Sequence, residues 1–96
     1  MKMRWIGRVY KIEYHKNALK DIQKLKQSNL EKKAKQLVEV IKENPFQIPP
    51  PYEKLVGDLL GLYSRRINIQ HRLVYEVIED KKIIRILSLW SHYENF

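Results

Sequence analysis

Glu53, Arg65, Arg72, His92 and Tyr93 are the residues of this chain whose types could together break a phosphodiester bond. A carboxylate takes a proton and an imidazole donates one. Guanidinium groups grip phosphate bidentately and stabilise the charge that builds on a phosphorane. A phenol stacks on a base or hydrogen-bonds a phosphate. No metal or cofactor is called for. Such a set suits RNA: the base activates a ribose 2′-OH, which attacks the adjacent phosphate, and the acid protonates the departing 5′ oxygen. DNA lacks that hydroxyl. Singly, each residue also reads as structural. Glu53 could cap a turn or pair with Lys54, and Arg65 and Arg66 could be a surface pair pointing to opposite faces of one strand. Arg72 could fix a sheet edge, and His92 could be a half-buried terminal histidine. His15, at a strand-to-helix junction, and His71, at a reversal, read as structural.

The chain around them supplies the elements that would carry them. "RVYKIEY" (8–14) alternates with a period of two and predicts a strand. From Asn17, a good N-cap, the period changes, and Ala18, Leu19, Ile22 and Leu25 form a helical stripe. "QSN" breaks it. Ser28 and Glu31 fit a capping box, and Leu30, Ala34, Leu37, Val38 and Ile41 make a second stripe that ends at Asn44-Pro45. A short loop between two helices predicts an antiparallel hairpin. Pro49, Pro50 and Pro51 favour polyproline II and forbid helix. The rest reads as strands at 52–57, 62–69, 72–78 and 83–90, with turns near Asp58–Gly61, near Gln70 and over 79–82. The expected fold is α+β: an N-terminal strand, then a helical hairpin packed on a mostly antiparallel sheet of four to five strands.

Facing residues of an antiparallel hairpin have a constant index sum. The turn near Asp58–Leu60 sets Glu53 opposite about Arg65. The reversal near Gln70 sets Arg72 opposite about Ile67. The turn at 79–82 sets the Arg72 end of its strand opposite Leu89–Trp90, with His92 and Tyr93 just beyond. The five candidates are thus expected to gather at one end of the sheet.

Composition agrees with a basic partner-seeking domain. The 96 residues make one domain, 1–96, and carry a formal net charge of +8. Residues 1–48 hold 12 Lys/Arg against 5 Asp/Glu, and residues 49–96 hold 7 against 6. The positive field therefore comes from the first half, mostly as lysine, and favours a polyanion such as nucleic acid. Cysteine is absent, which excludes disulfides, thiol catalysis and cysteine-ligated zinc and fits a reducing cytoplasm. No apolar run approaches the roughly 20 residues that span a bilayer. "MKMRWIGRVY" is basic but lacks an apolar run of the secretory type.

The motif residues resemble a known family. Gly61-Leu62-Tyr63-Ser64-Arg65-Arg66-Ile67, followed by His71-Arg72-Leu73-Val74-Tyr75, is similar to the signature of the YoeB/Txe toxins, within the RelE-like superfamily of toxin–antitoxin systems. Pro45-Phe46, Glu53 and His92-Tyr93 fall at matching spacings, so the resemblance covers about residues 9–93. It implies a type II toxin that acts as a ribosome-dependent mRNA endoribonuclease, cutting the codon in the ribosomal A site and so inhibiting translation. It implies Glu53 as general base, Arg72 as the transition-state arginine, His92 as general acid and Tyr93 as the residue that positions the nucleotide. Arg65 matches a phosphate-contacting arginine, with Arg66 and Lys54 as further phosphate or RNA contacts. A cognate antitoxin and a homodimer are implied as partners. The chain departs from the family pattern in four places. Residues 1–8 precede the usual first strand, and Glu94–Phe96 follow the usual terminal tyrosine. Prolines replace a basic, glycine-containing loop. The lysine expected soon after the glutamate has Lys54 adjacent and Val at position 56. Two other readings stay open: a ParE-like toxin that inhibits gyrase on the same scaffold, and an RNA-binding protein that does not cut.

Overall fold

A computed structural model describes residues 9–90; His92, Tyr93 and the extensions at 1–8 and 94–96 lie outside the described residues. The elements are β1 (Lys11–Tyr14), α1 (Lys16–Gln27), α2 (Glu31–Glu43), β2 (Glu53–Lys54), β3 (Leu62–Arg66), β4 (Arg72–Ile78) and β5 (Ile83–Ser88). They form one sheet in the order β1-β5-β4-β3-β2, with both helices on one face. The pairs β2·β3, β3·β4 and β4·β5 are antiparallel, and β1 joins β5 in parallel. This is the expected α+β architecture with five strands.

Both helices exist for the reason their stripes give. Ala18 and Leu25 on α1, and Ala34, Leu37 and Ile41 on α2, are buried against Leu73, Tyr75, Ile84 and Ile86 of the sheet. Each large apolar side chain so buried contributes about 1.5–3 kcal/mol. The ends differ in detail from the expectation. His15, not Asn17, caps α1: its Nδ1 accepts from the Asn17 backbone N–H at 3.1 Å. Ser28 closes α1 through backbone bonds instead of opening α2, and Asn29 takes the left-handed conformation (φ 60°) that turns the chain. Leu30 then occupies the N-cap of α2, without a side-chain cap. Leu19 is 54% exposed, and Asp21 takes the buried place on α1 beside Leu25.

The strands are shorter than their alternation suggested. β3 stops at Arg66, because Asn68 Oδ1 accepts from the backbone N–H groups of Gln70 and His71 and curls 67–71 into a turn. The prolines do not run out as a polyproline II rod. The segment folds back around one guanidinium, that of Arg65.

Candidate active site

Register decides which side chains can meet. Glu53 pairs with Ser64 and Lys54 with Tyr63; Ser64 pairs with Val74, Arg65 with Leu73, and Arg66 with Arg72. Glu53 therefore sits opposite Ser64, one residue from the expected Arg65. In a sheet a one-residue shift exchanges faces. The consequence falls on the double arginine: Arg66, not Arg65, shares a face with Glu53 and Arg72.

That face is the one the helices leave uncovered. It carries Glu53, Ser64, Arg66, Arg72, Val74 and Ser88, and further along Glu76, Arg85 and Glu13. Ser64, Val74 and Ser88 are buried small residues at its floor. Strand spacings put the Cα atoms of Glu53 and Arg72 roughly 12 Å apart, two strands across and two residues along. Two long side chains can close on a phosphate across that gap. At the β1 side the face settles its own charge: Arg85 reaches Glu76 at 3.4 Å and Glu13 at 3.6 Å. Arg66 is exposed and has no ion pair among the described residues.

Arg65 has a different post from the phosphate contact expected of it. Only 1% exposed, it points to the helix side. Its Nη1 donates to the Pro50 carbonyl at 2.6 Å, its Nη2 to the Pro45 carbonyl at 2.9 Å, and its Nε to the Tyr75 hydroxyl at 3.2 Å. The Tyr75 hydroxyl in turn donates to the Pro45 carbonyl at 2.7 Å. Burial pushes the Tyr75 phenol up to about 12, with the Arg65 charge pulling the other way. Phe46, Tyr52 and Tyr63 pack edge-to-face or tilted at 5.2–5.9 Å over the same segment. The segment that delivers Glu53 to β2 is thus clamped from inside by Arg65. Lys54 is exposed and pairs with Tyr63, on the opposite side of β2 from Glu53.

The far end of β5 is braced twice. Asp21 Oδ2 accepts from the Leu89 backbone N–H at 2.9 Å, and both residues are buried. His71 stacks on Trp90 with ring centroids 3.8 Å apart, and its Nδ1 bonds the Trp90 carbonyl. A carbonyl only accepts, so Nδ1 carries the proton. These contacts aim the chain immediately before His92 and Tyr93. Asp21 and Arg65 were missed as positioning groups. The alternation at Ser64-Arg65-Arg66 requires one arginine to face inward, and that was the available signal.

A family model for the YoeB-like toxin of bacterial type II toxin–antitoxin systems matches residues 14–93. The chain belongs to this family. Toxin YoeB of Streptomyces coelicolor is 42% identical over 53 residues, 55% of this chain and 63% of that protein, so the aligned part spans just under two thirds of the curated relative. The toxin of the YoeB–YefM complex from Staphylococcus aureus superposes with a TM-score of 0.74 at 37% identity, covering 88% of this chain and 98% of that one. The YoeB dimer from the same organism gives a TM-score of 0.73 at 36% identity, covering 91% and 100%. The five-stranded sheet under two helices is the fold of these YoeB toxins. Among the described residues, no helix is long and apolar enough to cross a membrane, and no three His, Cys, Asp or Glu side chains are grouped to hold a metal ion.

Proposed function

We propose that this YoeB-family protein is an endoribonuclease that cuts mRNA in the A site of the bacterial ribosome. The observation that carries the reading is the shared, helix-free sheet face of Glu53, Arg66 and Arg72. Glu53 takes the proton of a ribose 2′-OH. The oxygen attacks the neighbouring phosphorus, and Arg72 meets the charge on the phosphorane. Arg66 holds a phosphate of the same strand. His92 gives its proton to the departing 5′ oxygen, and Tyr93 stacks on the base. The products are a 2′,3′-cyclic phosphate and a free 5′-OH. An antitoxin segment that covers this face would block entry of RNA, in keeping with the S. aureus YoeB–YefM complex. A homodimer is the parallel expectation from the S. aureus YoeB dimer.

Primer extension on mRNA in a reconstituted bacterial translation reaction tests this. Wild type is expected to cut within the A-site codon. Glu53→Gln, Arg72→Ala and His92→Ala are each expected to lose roughly a hundredfold or more. A folded wild-type protein that leaves mRNA intact would overturn the assignment.

A further inference from the structure

Around the end of β3, between α2 and the proline segment, lies a groove of about 550 Å³ that shares only Arg66 with the residues proposed for cleavage. Its volume is in the range of small-ligand sites, roughly 300–1,000 Å³. One wall is α2, through Leu37 and Val40. The other is the proline segment, through Pro50 and Pro51, and Ile69 of the β3–β4 turn closes the end. Ile69 is 82% exposed and offers its aliphatic side chain to an occupant of the groove. Two cations stand at the mouth. Lys33 is fixed there by donating to the Ile67 carbonyl at 3.2 Å, and Arg66 lines the groove while pairing with Arg72 across β3 and β4. Two amides reach in from opposite sides. Gln36 is exposed on α2, and Asn68 has its oxygen committed to the turn, so its NH2 remains to donate.

We propose that this groove is a nucleotide subsite, taking one base of the RNA beside the bond to be cut. The proposal rests on the RNA-cleavage reading and extends it. Flat aliphatic walls receive the faces of a base, the amides of Gln36 and Asn68 meet its polar edge, and Lys33 and Arg66 hold the phosphates on either side. Continuity through Arg66 is what favours RNA over an acidic peptide: a strand crossing Glu53 and Arg72 reaches the groove without leaving the basic rim. Because Pro50 and Pro51 form a wall, the subsite depends on the segment in which this chain departs from the family pattern.

The test uses a fully 2′-O-methylated pentanucleotide, which cannot be cut, beside a dinucleotide of the same chemistry that spans the catalytic face alone. Backbone NMR signals of Gln36, Asn68 and Ile69 are expected to shift with the pentanucleotide and stay still with the dinucleotide. The double variant Gln36→Ala/Ile69→Ala changes only exposed residues, so the fold is kept. It is expected to weaken pentanucleotide binding roughly tenfold and leave the dinucleotide unchanged. Shifts confined to the β3–β4 face, equal binding by the variant, or no pentanucleotide binding at millimolar concentration would each overturn the subsite. So would groove shifts produced by a Glu/Leu-rich peptide and not by RNA. Groove binding by a protein that leaves mRNA intact during translation would sink the cleavage reading alone. Cleavage with a silent groove would sink the subsite alone.

Discussion

Arg65 and Arg66 are neighbours in the chain and do opposite jobs. Arg66 offers its charge to solvent on the candidate catalytic face, while Arg65 commits three donors to the Pro45 and Pro50 carbonyls and the Tyr75 hydroxyl. Lysine keeps the charge but not the planar fork that reaches three acceptors. Arg65→Lys is therefore expected to lower stability by about 2 kcal/mol in urea unfolding, and to reduce cleavage because Glu53 follows the clamped segment. An unchanged unfolding midpoint would remove the clamp from the account. Tyr75 in the same network gives a pH prediction. Its folded pKa of about 12 lies above the usual 10, so the fold prefers the neutral phenol. That preference is fully present below pH 10 and is lost as pH rises through about 12, on the order of 2 kcal/mol. Tyr10, raised by burial and by its bond to Glu79, adds in the same direction. Tyr75→Phe should flatten part of the alkaline decline in unfolding free energy; an unaltered decline would place its cause elsewhere.

At the scale of elements, α1 aims the end of β5. Asp21 accepts the Leu89 backbone N–H in a buried setting, one residue before the described chain ends and three before His92. Asp21→Ala leaves that N–H without a partner, at a cost of about 1–3 kcal/mol. It should lower both the melting temperature and cleavage, while Asp21→Asn, whose amide oxygen still accepts, should restore most of each. A variant that melts early but cuts at the wild-type rate would limit Asp21 to stability. Asp21 also marks where sequence reading stopped. The period of two over 8–14, the β-forming residues of 72–78 and the stripe through Leu30, Leu37 and Ile41 announced strands and helix, because burial on one face favours those patterns. Asp21 interrupts such a stripe, and only the tertiary position of Leu89 gives it a partner. The one-residue error at Glu53 has a similar origin. The turn holds a short 3₁₀ segment at Gly57–Leu59, with left-handed Gly57 (φ 66°) and Gly61 (φ 99°), and that geometry sets the parity of β2 against β3. Turn length in sequence fixed the neighbourhood of Glu53; turn conformation fixed its face. Arg72 shows the same one-residue error: the Asn68-centred turn sets it opposite Arg66 and not Ile67, which again decides the face it shares.

Over the whole molecule, charge and chemistry lie on opposite sides. The lysines of the first half sit on the helical layer, Lys16, Lys20, Lys24 and Lys26 on α1 and Lys32, Lys33 and Lys35 on α2, all exposed. The candidate catalytic face is the other side of the sheet. A single short RNA on that face meets Arg66 and Arg72 and few lysines, so its affinity should fall only gently with salt, with a log–log slope of about −0.7 for each phosphate neutralised. A partner as large as a ribosome feels the helical lysines as well, through a field that speeds encounter. Lys20→Glu/Lys32→Glu changes two exposed positions and leaves the groove and the candidate catalytic face untouched. It is expected to slow association with ribosomes about tenfold at low salt, with the difference shrinking as salt rises, while binding of the non-cleavable dinucleotide stays at the wild-type value. Stopped-flow association and dinucleotide titration measure the two separately. Equal losses in both would mean that the lysines act at the RNA site itself, and the division of labour between the two faces would have to be given up.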